Sequence, residues 1–228
     1  MNGKIHTIGR TSSTQHIARR LIEQGLASMG DAVIADEQTA GQGRFGRSWI
    51  SPSGGMYATI ILSSDPLLSL KAGLALVCVL RRAGVSAASL KWPNDVLVED
   101  RKIAGVLIET AGEHSLVGIG LNLTATPLDC STCVSHYVDV ISRDDWALSI
   151  ISEISRQALI SLDMDAYREA CLTLGRPVRL ERLGQQPDVE GIAVDVDEHG
   201  RLVVMTAEGK RTVSSGECFH AKASEKDG

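Results

Sequence analysis

Apolar residues recur along the chain at helical and strand periods, in an order that predicts the architecture before any chemistry is considered. Ile17, Ala18, Leu21 and Ile22 share one helical face; the hydroxyl residues from Thr11 to Thr14 supply N-caps ahead of them and Gly25 stops the run, which predicts a first helix of about three turns. "AVIADEQ" then reads as a strand and "MYATIILSS", from Met56, as a second, with a glycine-rich loop slung between them. Leu67 to Gly84 is apolar almost all round, the pattern of a helix packed deep against a sheet. "SLKW", the turn formers Pro93, Asn94 and Asp95, then "VLVED" and "KIAGVLIET" predict strands joined at Asp100 and Arg101, a hairpin beside a polar corner. "SLVGIGLNL" is a further strand, and Asp144 to about Leu174 reads as largely helical.

Beyond Leu174 the period shortens. Alternating β runs with turns at Gly184, His199–Gly200 and Glu208–Gly209 predict a compact, barrel-like module of about fifty residues, small enough to lean on the main domain. The boundary falls near Gly175, giving domains 1–174 and 175–228.

Composition narrows the classes. With 43% hydrophobic and 22% charged residues the chain resembles an ordinary soluble enzyme, and a formal net charge of −5 argues against general nucleic-acid binding. The N-terminus has no apolar core of secretion-signal length and no stretch reaches membrane-spanning length, so a soluble cytoplasmic protein is expected. Five scattered cysteines do not form a disulfide framework. Cys130 and Cys133, with His136 nearby, also fit a metal or redox pair, although structural zinc needs four ligands and the others are not evident.

The loop "DEQTAGQGRFGRSW", Asp36 to Trp49, carries the most specific chemistry. Gly41, Gly43 and Gly46 let backbone N–H groups turn toward an anion, and Arg44 and Arg47 add charge on long stems. The glycines match the spacing of a dinucleotide fingerprint, but that fingerprint must open into a helix, whereas here "RSWISPSGG" follows; no Gly-Lys-Ser/Thr of a Walker loop is present either. Lys102 starts a strand on which Ala104 and Gly105 leave little bulk, so a ligand can pass beside its ammonium; Lys91 adjoins the Trp92 to Asp95 corner. Gly118, Gly120 and Asn122 repeat the pattern of small residues ending in a polar group. One ligand lying across the sheet, or helix packing onto each glycine separately, accounts for them.

Together "TSSTQ", "QTAGQGRFGRSW", "KWPNDVLVEDRKIAG" and "GIGLN", in this order, resemble the biotin protein ligases over nearly the whole chain. The resemblance implies an α+β fold: a catalytic domain built on a mixed β-sheet with helices on one side, followed by a small SH3-like β-barrel. It implies that biotin and ATP, with Mg²⁺, give biotinyl-5′-AMP and pyrophosphate, and that biotin then passes to a lysine of a biotin carboxyl carrier domain. By the same resemblance Ser12, Ser13, Thr14, Gln38, Gln42, Gly43, Arg44 and Lys102 line the biotin pocket, with Gly105 and Gly118 leaving room for the apolar chain. Arg44, Arg47, Trp49, Asn94, Lys102 and Asn122 face the adenylate and ATP, and Arg44 and Lys102 are the catalytic pair. The residues holding Mg²⁺ are not identified. The family's Ser-Thr-Asn block reads Ser12-Ser13-Thr14 here, which leaves open the hydroxyl that meets the ureido group. The chain starts at the catalytic domain, so sequence-specific DNA binding is not expected; a homodimer paired sheet edge to edge is a family option. The rival readings are a lipoate ligase, which shares the fold, and a biotin sensor that no longer forms adenylate.

Overall fold

The computed structural model describes residues 3–140, 142–181 and 187–220; the turn expected at Gly184 lies outside them. Seven strands form the first sheet: β1 (Ile5–Thr11), β2 (Ala32–Gln38), β3 (Gly55–Ser63), β4 (Ala88–Lys91), β5 (Asp95–Val98), β6 (Arg101–Ala111) and β7 (His114–Asn122). Their order is β1-β2-β3-β7-β6-β5-β4, parallel between β1 and β2 and antiparallel elsewhere, so the sheet is mixed. β1 is the strand the hydrophobic pattern does not announce. "IHTIGRT" is only partly buried along its length, because it pairs at an edge rather than in the core.

Four helices complete this part: α1 (Thr14–Glu23), α2 (Leu68–Arg82), α3 (Arg143–Ala158) and α4 (Met164–Ala170). α2 is buried almost all round, as its sequence predicts. The single helical run expected from Asp144 to about Leu174 is two helices. Asp163 restarts the chain as an N-cap, its carboxylate accepting from the Ala166 N–H at 3.0 Å.

Side chains alternate along β3, so its two faces differ. Met56, Ala58, Ile60 and Leu62 join the main core with α2 and α3, whereas Ile61 joins Val33, Leu116 and Ala18 of α1 in a smaller core. Helices are therefore not confined to one side: α1 covers part of the opposite face and leaves the rest open.

The second sheet comprises β8 (Pro177–Glu181), β9 (Val189–Val196), β10 (Leu202–Thr206), β11 (Gly209–Val213) and β12 (Glu217–His220), antiparallel in the order β11-β10-β9-β8-β12. No β11–β12 pairing closes it into a complete barrel among the described residues. Its Val178, Leu180, Ala193 and Val204 belong to the same buried cluster as the first sheet's core. At the seam the buried Trp92 donates from Nε1 to the Gly200 carbonyl at 2.9 Å, and its backbone N–H donates to Thr173 Oγ1 at 3.0 Å. The module thus leans on the polar corner that follows β4.

Candidate active site

On the face that α1 leaves open lies a cavity of about 320 Å³. Its roof is the Asp36–Trp49 loop, which is more folded than its glycines suggest. Gly43 N–H donates to the Arg47 carbonyl at 2.7 Å, Trp49 N–H to the Gly41 carbonyl at 2.9 Å, and Phe45 and Gly46 turn the ribbon with φ of 58° and 73°. The Gly43 amide is therefore spent inside the loop and is not turned toward an anion, whereas Arg44 and Arg47 bring their charged side chains to the cavity.

One end of the cavity is uncharged and dense in hydrogen-bonding groups. Ser13 is the N-cap of α1 and is buried, yet its side chain makes no capping hydrogen bond. Thr14 donates from both its N–H (2.9 Å) and its hydroxyl (3.2 Å) to Gln38 Oε1, while Gln38 Nε2 donates to Ser51 Oγ at 2.9 Å. Gln15 donates to the carbonyls of Leu107 (3.1 Å) and Leu116 (3.5 Å), and its own buried Oε1 has no partner. Ser12, by contrast, is exposed and does not line the cavity; its carbonyl accepts from Ala40 N–H instead. The pocket triplet is Ser13-Thr14-Gln15, one residue further along than Ser12-Ser13-Thr14, because the chain turns inward only where the helix begins.

The other end is cationic. Arg44 Nη1 donates to Asn94 Oδ1 at 2.9 Å, Asn94 Nδ2 donates to Asp95 Oδ1 at 3.1 Å, and Asp95 pairs with Lys102 Nζ at 2.7 Å. Burial pushes the Arg44 guanidinium below its usual pKa while Asp95 opposes the shift; a guanidinium stays charged at neutral pH regardless. Arg47 is more exposed and pairs with Glu217 of β12, so the second sheet contributes to the cavity wall. Gln42 and Gly43 also line the cavity, on the loop.

The floor explains the glycines in the strands. Gly105 and Gly120 are cross-strand partners, and the Trp49 indole rests on them: a Cβ on Gly120 would lie 2.3 Å from the ring. Lys102 Nζ sits 5.0 Å from the same ring, in cation–π range. A Cβ on Gly118 would meet the Gln15 amide at 2.5 Å. Two of these glycines thus make room for a loop tryptophan and one for a helix side chain. Asn122 lines the cavity too, but its amide donates to the carbonyls of Thr132 (3.0 Å) and Lys102 (3.4 Å), tying the 130–132 segment to β6.

Of the residues that the family resemblance assigns to biotin and the adenylate, all but Ser12 line this cavity; Gly41 and Gly46 of the loop do not. The folding adds Gln15, Asp95 and Glu217. Asp95 reads as a turn former in sequence; its link to Lys102 depends on the β5–β6 pairing, and Glu217 comes from another sheet. Cys130 is at the exposed rim and Cys133 is buried with its Sγ 3.3 Å from Ser135 Oγ; no cluster of three or more metal-ligating residues occurs among the described residues.

Residues 7–123 match the biotin/lipoate A/B protein ligase family, and the chain belongs to it. Residues 173–221 match the biotin protein ligase C terminal domain. Within the family the chain is accordingly a biotin protein ligase. It is 34% identical to the biotin–[acetyl-CoA-carboxylase] ligase of Mycobacterium tuberculosis, over 96% of this chain and 90% of that protein. It is 38% identical to the bifunctional ligase/repressor BirA of Bacillus subtilis, over 90% of this chain and 70% of that one. The structure of Aquifex aeolicus biotin protein ligase in complex with biotin and ATP superposes with a TM-score of 0.84 at 30% identity, covering 96% of this chain and 99% of that one.

Proposed function

We propose that the cavity holds biotin and ATP end to end and joins them as biotinyl-5′-AMP, and that the biotinyl group then passes to one lysine of a biotin carboxyl carrier domain. The observation that carries this is the cavity's polarity. An uncharged hydrogen-bonding end (Ser13, Thr14, Gln38) suits the ureido ring, and a cationic end (Arg44, Arg47, Lys102) suits a carboxylate and phosphates. Biotin's carboxylate oxygen attacks the α-phosphorus, a new O–P bond forms, and pyrophosphate leaves. The two reactants are both anions, so Lys102, held in place by Asp95, and Arg44, held by Asn94, lower their repulsion and stabilise the charge that builds on the α-phosphate. In the second step a neutral lysine amine of the acceptor attacks the anhydride carbonyl, AMP leaves, and an amide remains. The loop over the cavity keeps water from the anhydride in the interval.

Mg²⁺ fits as a companion of ATP rather than as a resident of a protein cage. Among the described residues Asp95 and Glu217 are the carboxylates lining the cavity, and Mg²⁺ commonly binds one or two carboxylates together with substrate phosphates. When bound, it would neutralise phosphate charge. We read residues 175–228 as the second domain, and the acceptor as a biotin-dependent carboxylase like the acetyl-CoA carboxylase in the relatives' name. A cytoplasmic location and no sequence-specific DNA binding complete the reading, and a homodimer is compatible with it.

Pyrophosphate release with ATP and either biotin or lipoate tests it. Release with biotin and accumulation of biotinyl-AMP are expected; turnover with lipoate alone would overturn it, and biotin binding without adenylate would assign the protein to the sensor class.

A further inference from the structure

We infer that Thr59, which lies beneath the cavity and does not line it, is a positioning residue for the uncharged end of the site: it fixes the Gln38 amide so that an N–H faces the ligand. This rests on the reading of Ser13, Thr14 and Gln38 as the biotin end.

Thr59 sits on the central strand β3, between Val33 of β2 and Gly118 of β7, with no exposure at all. The neighbours on its face, Val33 and Ile61, are apolar core residues. Valine would fill the same volume, and a buried hydroxyl is costly unless it is hydrogen-bonded. Its bond is to Thr14 Oγ1, at 2.8 Å.

The direction of that bond follows from its neighbours. Gln38 Oε1 is a carbonyl oxygen without a proton, so Thr14 Oγ1, 3.2 Å away, must donate to it. The Thr14 hydroxyl has no second proton; it accepts from Thr59. Gln38 Oε1 also accepts from the Thr14 N–H at 2.9 Å, which fills both of its lone pairs. On the other side of the amide, Nε2 donates one proton to Ser51 Oγ, which passes its own to the Trp49 carbonyl at 3.0 Å. The second Nε2 proton has no partner among the described residues, and Gln38 lines the cavity. The chain Thr59, Thr14, Gln38, Ser51, Trp49 runs in one direction only. It presents a donor where the ureido carbonyl of biotin offers an acceptor. Without the Thr59 proton the Thr14 hydroxyl is no longer held in one direction, and one of the three bonds that orient the Gln38 amide is weakened.

Steady-state kinetics on the full chain separate this from a packing role. Thr59→Val should raise the KM for biotin about tenfold, the order expected for one misdirected hydrogen bond, with kcat and the KM for ATP within about twofold. Since a fully buried substitution can cost stability, Thr59→Ser and Thr59→Cys make a second pair: both are small, but only serine keeps a strong donor. Serine should restore the biotin KM and cysteine should not. Equal biotin KM values for serine and cysteine, or a folded valine variant with an unchanged biotin KM, would overturn the inference. Gln38→Ala separates the two levels: it should raise the biotin KM by more than any Thr59 variant. If it does not, the reading of this end as the biotin end fails, and the role of Thr59 with it. If it does while the Thr59 variants bind normally, only the role of Thr59 fails.

Discussion

The two faces of the seven-stranded sheet are built from the same strands and do opposite things. Under α2 and α3 the residues are Met56, Ala58, Ile60, Val117, Ile119 and Leu121, packed into one core. On the other face the intervening positions are Thr59, Gly118, Gly120 and Asn122, with a tryptophan lying on two glycines and a hydrogen-bonded chain beneath the cavity. One face is core throughout; the other is core only under α1 and elsewhere carries the residues around and beneath the cavity. Function should therefore be separable from stability by face, even between adjacent residues of one strand.

The largest effect is expected at Lys102, on the cavity face. Lys102→Ala should cut biotinyl-AMP formation by about 10²–10³-fold, the loss typical of removing one preorganised charge, with a melting curve close to that of the unaltered protein. Unchanged turnover would remove Lys102 from the chemistry. Next is Gly120→Ala, which places a Cβ against the Trp49 indole. A shift of the loop by about 1 Å should lower activity roughly ten- to a hundredfold in an adenylation assay, with a far smaller effect on stability. Ile60→Val, one residue from Thr59 but on the core face with no exposure, should do the reverse: a loss of about 0.5–1.5 kcal/mol in denaturant unfolding with kcat preserved. Lost activity in a stable Ile60→Val protein would blur the division between faces.

The smallest effect concerns the seam between the sheets. Burial, and then the charges of Lys91 and Arg176, lower the pKa of His220 from 6.5 to about 4 against the pull of Asp100. The folded protein keeps His220 neutral between those values while the unfolded chain binds a proton. Stability is therefore full above pH 6.5 and declines as pH falls toward 4. His220→Gln should flatten that part of the melting-temperature profile; an identical slope would mean that His220 does not set it.

Much of this was legible in the sequence, and the failures share a cause. β2, β3, α2 and the β5–β6 hairpin carry local periodic patterns, and the Arg44 loop and Lys102 stand in motifs whose residue types declare their chemistry. β1 was missed because its partner on one side supplies the order that its own pattern lacks. Ser13 was distinguishable from Ser12 only by where α1 begins, since the two are chemically identical and adjacent. Asp95, Glu217 and Gln15 act through partners brought close by strand pairing or from a separate sheet, which spacing along the chain does not encode.

The most direct measurement is a mass spectrum of a biotin carboxyl carrier domain after incubation with the protein, biotin, ATP and Mg²⁺. Gain of one biotinyl group on a single lysine, dependent on ATP and strongly reduced with Lys102→Ala, is the expected result. An unmodified acceptor with biotin, together with modification when lipoate is supplied, would contradict it.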